Sequence, residues 1–169
     1  AGWYTLEGNY ALAGTSLVQA IPFVGTIPAA AKIASFAGAP FMVKVGAKWK
    51  YLRSSYKMRK ELGLVKGDGL IAHHILPLGE DGHSLIQAAA NGGFDLNKAV
   101  NGIALDGVFH KGSHPAYSAR VRAKMDNIMS AYNNSITPQQ AIAELQSLIN
   151  TIRNAIANQS STRINDVIF

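Results

Sequence analysis

The 169 residues suit one ordinary domain with a small extension. Nearly half (48%) are apolar and only 15% are charged, which excludes wholesale disorder and allows a packed core. A net charge of +6 favours a polyanionic partner (nucleic acid, an anionic membrane or an acidic protein), while the lack of cysteine excludes disulfides and thiolate metal sites, leaving any metal to His, Asp, Glu or Asn.

The chain opens at Ala1 with no basic stretch ahead of its apolar residues, so it reads as an excised segment without a signal peptide. Residues 8–31 carry no charge, but Pro22, Pro28, Gly8, Gly14 and Gly25 interrupt them. A membrane-spanning helix needs about twenty apolar residues with few breaks. Two short buried helices are therefore expected, one before Pro22 and one from Pro28 to about Ala37.

Residues 44–66 hold eight of the sixteen basic side chains against one acid, Glu61. At helical spacing Lys50, Arg53, Lys57 and Lys60 form one stripe, with Trp49, Tyr51, Leu52 and Tyr56 interleaved. A phosphate-contacting helix has this pattern, and so does a solvated helix face; the residues alone leave both open.

Gly63 and the Gly67–Asp68–Gly69 turn end that helix. Leu70 to Leu76 then reads as a short strand closing at Pro77, with two histidines set into it. A turn at 79–83 and a short helix from Ser84 to Ala90 follow, and Asn91–Gly92–Gly93 stops the helix. Asp95 is expected to cap a further turn. Gly102 to Phe109 reads as a second strand, with Asp106–Gly107 as a turn or bulge. One helix is expected from Pro115 to Tyr132. A last one follows Thr137 and Pro138, where Gln140 completes a capping box. Its stripe of Ile142, Leu145, Ile149, Ile152 and Ile156 is too short for a coiled-coil seam and reads as core.

Four of the five histidines fall into two pairs, His73–His74 and His110 with His114. Singly, each is an ordinary hydrogen-bonded residue; together they suggest a site. His110 and His114 stand four apart across a helix start, which lets two imidazoles converge on one ion. A third imidazole from a neighbouring strand end would leave coordination positions open, as a catalytic metal requires. The other member of the doublet is then free to act as a general base, since imidazole is neutral near physiological pH. Asn101, at the start of the second strand, has an amide able to orient that base, although Asn before Gly is also a turn signal. Adjacent residues of a regular strand face opposite ways, so a shared site requires the doublet to lie where its strand ends or distorts. His83 reads as a loop residue and Tyr117 as packing.

Three ordered stretches, Ile71-Ala72-His73-His74-Ile75-Leu76-Pro77, Asn101-Gly102-Ile103-Ala104-Leu105 and His110-Lys111-Gly112-Ser113-His114-Pro115-Ala116-Tyr117, resemble the AHH nucleases of the HNH/endonuclease VII superfamily. The resemblance spans about residues 70–130. It implies a ββα-metal nuclease core; with the helices read above, the chain is expected to be α+β, mostly helical, with a ββα-metal nuclease domain at 66–169 carrying C-terminal helices, after a helical N-terminal region at 1–65 that holds the basic helix and lies outside the resemblance. It implies His73 and His110 as metal ligands, His114 as a further ligand or phosphate contact, His74 as general base and Asn101 as its positioner. The implied cofactor is a divalent metal ion such as Mg, Mn, Zn or Ni. The implied substrate is DNA, with Lys50, Arg53, Lys57, Lys60 and Lys111 as candidate phosphate contacts. Such nucleases often form the C-terminal toxin domains of bacterial polymorphic toxins. That adds an acidic immunity protein as partner, membrane contact during delivery, and action in the cytoplasm of a target cell. An RNase, a non-enzymatic nucleic-acid-binding module with a structural metal, and a membrane-active toxin are the competing readings. The 26 residues between His74 and Asn101 form a longer insertion than in colicin-type relatives.

Overall fold

The computed structural model describes residues 42–51, 55–110 and 112–169. The two helices expected before Pro22 and after Pro28, and the candidate contacts Arg53 and Lys111, lie outside them. The chain divides into two compact units, 1–52 and 53–169, so the N-terminal region expected at 1–65 spans parts of both.

In the first unit, β1 (Met42–Val45) and β2 (Lys48–Tyr51) pair antiparallel, Met42 opposite Tyr51 and Val45 opposite Lys48. Gly46, at φ +62°, is the first of two loop residues, where a tight hairpin favours glycine. This hairpin corrects the expected basic helix. Lys48 and Lys50 are exposed while Tyr51 is buried, so the segment alternates with period two, and its β-branched and aromatic residues suit strands. Lys50 thus stands on a strand, whereas Lys57 and Lys60 stand on a separate helix; one continuous stripe does not form.

The second unit opens with that helix, α1 (Ser55–Glu61), which ends where Gly63 takes φ +67°. Arg59 on α1 clamps the next turn, donating to the carbonyls of Val65 and Leu70 and pairing with Asp68 at 3.0 Å. The same Asp68 oxygen accepts the Leu70 N–H, and this bond, with the guanidinium, lowers the carboxyl pKa. The clamp fixes where the next strand begins.

That strand, β3 (Leu70–His74), pairs antiparallel with β4 (Gly102–Asp106), with Leu70 opposite Asp106 and His74 opposite Gly102. Between them run a 3-10 turn (Leu78–Glu80), α2 (Ser84–Asn91) and a second 3-10 turn (Ala99–Asn101). α3 (Pro115–Ala131) and α4 (Pro138–Asn158) follow, then a last 3-10 turn (Ile164–Asp166). The architecture is α+β and carries the expected ββα arrangement, an antiparallel strand pair followed by a helix: β3, β4, α3.

The core lies between helices. Leu85, Ile86 and Ala89 of α2 meet α4, whose Leu145, Ile149 and Ile152 are fully buried, with Val121 and Met125 of α3 beside them. Leu145, Ile149, Ile152 and Ile156 of the expected α4 stripe are therefore core, as their spacing predicts, while Ile142 is half-buried. Thr137 and Gln140 close the predicted capping box, a device worth about 1 kcal/mol. The long excursion between the strands is tied to α3 by Glu80–Arg122 at 2.6 Å and His83–Asp126 at 3.0 Å. His83 also caps α2 by accepting the Leu85 N–H, which gives it a structural role. Among the described residues, no helix is long and apolar enough to cross a membrane.

Candidate metal centre and catalytic histidines

Three elements deliver three imidazoles to one point. His73 comes from β3 and is buried, His110 from the turn after β4, and His114 from the position preceding α3. His73 Nδ1 lies 2.8 Å from His110 Nε2, which in turn lies 3.3 Å from His114 Nε2. One ligand atom from each ring falls within 4.8 Å of the other two. The rings meet edge to face, with centroids 4.5–5.7 Å apart.

Protons alone cannot satisfy this arrangement. His110 Nε2 has either one proton or one lone pair, yet it faces two other nitrogens. A metal ion accepts all three lone pairs at once. Nitrogens bound at about 2.0–2.1 Å sit roughly 2.9–3.4 Å apart, close to the spacings found. With those lone pairs engaged, the ring protons of His73 and His114 fall on His73 Nε2 and His114 Nδ1. Both of these atoms are buried without a hydrogen-bond partner. The spacing and the three nitrogen donors fit a divalent ion with an affinity for nitrogen.

Electrostatics favour the neutral form of two of the three imidazoles. Burial, with the neighbouring charges of His110, His114 and His74, pushes the His73 pKa down to about 3. Burial and His110 lower that of His114. A neutral imidazole is the form that binds metal.

The position of His114 has a further consequence. It is the N-cap residue of α3, but its side chain makes no capping bond. Asn165 supplies the cap from the C-terminal turn instead: its Oδ1 accepts the N–H groups of Ala116 (3.0 Å) and Tyr117 (3.2 Å). Orphan N–H groups at a helix start need such an acceptor, and Asn165 provides it while the His114 ring turns to its two neighbours. Phe169 packs its ring against Tyr117, whose buried hydroxyl donates to the Ile75 carbonyl at 2.6 Å. Burial raises the pKa of that phenol, so it stays protonated as a donor.

His74 is the last residue of β3 and, by the pleat, leaves the strand on the face opposite His73. Its register partner Gly102 shows what covers that face: a Cβ added there would lie 2.5 Å from Met58 Sδ of α1. A side chain at 102 would have to displace the Met58 and Leu62 side chains. Burial lowers the His74 pKa, partly offset by a hydrogen bond of 3.2 Å from its Nε2 to Asn97 Oδ1.

Asn101 is fully buried, and its amide is used elsewhere than on the His74 ring. Its Oδ1 accepts the Leu76 N–H at 2.7 Å, and its Nδ2 donates to the carbonyls of Leu76 and Leu96. Its own carbonyl accepts the Ile75 N–H. The residue thus holds the chain just after His74, while the side chain touching the imidazole is Asn97. Sequence reasoning missed both Asn97 and Asn165. The one signal for Asn97 was a polar loop residue just ahead of β4, and the capping bonds of Asn165 cross nearly fifty residues.

On α1, Lys60 is exposed and Lys57 half-buried. Burial, then Lys60, lowers the Lys57 pKa, and Glu61, Lys98 and Asp95 also act on it. Lys98 pairs with Glu61 at 3.6 Å. The basic residues of α1 therefore share an electrostatic environment with the loop that carries Asn97.

An antiparallel strand pair and a following helix that bring three histidines together, with one more histidine at the strand end, agree with a ββα nuclease core. Residues 54–156, well over half of the chain, match a nuclease family of the HNH/ENDO VII superfamily with a conserved AHH motif, which here is Ala72-His73-His74. The chain belongs to this AHH nuclease family. No curated protein and no solved structure matches it.

Proposed function

We propose that this domain hydrolyses phosphodiester bonds of DNA, using a divalent metal ion held by His73, His110 and His114 and His74 as general base. The carrying observation is the convergence of three imidazole nitrogens; the AHH motif of the family supports His74, at the end of the same strand, as the base. A divalent ion bound there supplies Lewis-acid stabilisation of the negative charge that develops on the phosphoryl oxygens. His74 takes the proton from the attacking water, and its lowered pKa keeps it unprotonated for that task near neutrality. Asn101 serves as a positioning residue through the backbone of Ile75, Leu76 and Leu96. Lys57 and Lys60 provide positive potential for the substrate backbone; Lys50, Arg53 and Lys111 are phosphate contacts on the strength of charge alone.

The reading extends to an antibacterial toxin domain, delivered by a producing bacterium, that acts in the cytoplasm of a target cell. An acidic immunity protein restrains it, and the region before β1 meets the membrane during delivery. Family membership, the resemblance to polymorphic-toxin domains and the net charge of +6 support this.

The test compares three proteins by plasmid cleavage and by calorimetric titration with zinc or nickel, with an RNA substrate run in parallel. His74→Ala should lose about a hundredfold or more in rate while retaining metal. His110→Ala should lose both rate and metal. Wild-type cleavage by His74→Ala, or unchanged affinity in His110→Ala, contradicts the assignment, and preference for RNA corrects the substrate.

A further inference from the structure

We propose that Asn97 is the positioning residue of the general base: its Oδ1 accepts the Nε2 proton of His74, selecting the tautomer whose lone pair is on Nδ1. The inference rests on the reading of His74 as the base and adds which of its nitrogens is basic, and what makes it so.

The geometry is specific. An amide oxygen can only accept, so the nitrogen facing it at 3.2 Å carries the hydrogen. In a neutral imidazole the other nitrogen then has the lone pair. Free histidine interconverts between tautomers, so a base without such a partner spends part of its time in the form unable to take a proton where it is needed.

The acceptor is itself held. Asn97 is only 2% exposed, and its N–H donates to Asp95 Oδ1 at 2.9 Å. The Lys98 N–H closes the turn onto the Asp95 carbonyl at 3.2 Å. On the other side Leu96 is fully buried and its carbonyl accepts from the Asn101 amide at 2.9 Å. Asn101 also grips Leu76, two residues beyond His74. One buried amide therefore fixes both the strand end that carries the base and the loop that carries its acceptor. A group that fixes tautomer and ring orientation in this way acts as outer-shell partners of metal-bound histidines do.

The alternative is that the bond only satisfies a buried amide. The nitrogen-15 chemical shifts of His74, which differ between protonated and lone-pair nitrogens, separate the two when read together with the rate in the zinc-loaded protein and its Asn97 variants. The expected result is hydrogen on Nε2 and a lone pair on Nδ1. Asn97→Leu should give a mixed tautomer signal and a kcat lower by roughly tenfold to a hundredfold, with KM and zinc affinity kept within about twofold. Asn97→Asp, which retains an acceptor, should recover most of the rate. Hydrogen on Nδ1 in the unsubstituted protein overturns the proposal without any variant. So does an unchanged tautomer and rate in Asn97→Leu. Full activity of His74→Ala would instead remove the base assignment itself, so the two failures are distinguishable.

Discussion

The hydroxyl of Tyr117, in the first turn of α3, donates to the carbonyl of Ile75 across 2.6 Å, which ties the helix that follows His114 to the residue that follows His74. Both groups are buried, and Ile75 is fully so. Deleting the hydroxyl leaves a buried carbonyl without its partner, a cost of about 1–3 kcal/mol. Tyr117→Phe should therefore lower the melting temperature by at least about 2–4 °C and loosen the metal centre. Thermal unfolding with and without zinc checks it: an unchanged midpoint in both states would show that this bond contributes nothing.

Asn165 permits a sharper test of the His114 arrangement. Its oxygen caps α3 while the His114 side chain, at the N-cap position, makes no capping bond. Loss of a cap costs about 1 kcal/mol, and outer-shell substitutions typically weaken metal sites about tenfold or more. Asn165→Ala should reduce zinc affinity roughly tenfold, and Asn165→Asp, an equally good cap, should restore it. Equal affinities for all three proteins, measured by calorimetry, would detach the C-terminal turn from the site.

Much of this was legible in the sequence. Proline at 115, the Thr137–Gln140 box and the glycines at 63 and 92–93 mark helix ends by local chemistry, and the structure puts those ends within a residue or so of the expected positions. The pairing of His110 with His114 followed from a spacing of four and a third imidazole from the strand order, while the resemblance to the AHH nucleases singled out His73 as that third member. What escaped was of two kinds. Lys48 to Tyr51 is too short to separate period two from period 3.6 when basic residues recur on either side, and the strand pairing with Met42–Val45 decided it. Asn97 and Asn165 act through contacts 23 and 49 residues away, and no local pattern distinguishes them from ordinary polar loop residues.

The depressed pKa of His73 carries a pH dependence for the metal-free protein. In the unfolded chain the group titrates near 6.5; in the folded chain it does so at about 3. Between those values only the unfolded chain binds the proton, so stability rises with pH across that window. It is fully present above pH 6.5 and declines as the pH falls toward 3, by up to about 1.4 kcal/mol per pH unit for this one group. Urea unfolding of metal-free protein at pH 7.5 and pH 5 should show the lower midpoint at pH 5. In His73→Gln that difference should shrink; a difference of the same size would assign the effect to other groups.

Charge reversal on α1 tests the substrate surface. Lys57→Glu with Lys60→Glu should weaken DNA binding and reduce the slope of log affinity against log salt by about 0.9 for each phosphate that is no longer neutralised. Lys50→Glu, on the separate hairpin, is the informative companion. A slope unchanged by all three substitutions would make these side chains solvated surface only.

The central claim is that a metal ion held by the histidine cluster makes this domain a nuclease. Cleavage of supercoiled plasmid by the purified protein, before and after treatment with a chelator, measures this most directly. Nicking and linearisation should cease in the chelated sample and return when Mg, Mn, Zn or Ni is added in excess, while His110→Ala should remain inactive under the same additions. Cleavage that persists at full rate in exhaustively chelated protein, or that His110→Ala performs as well as the unsubstituted chain, would contradict the account.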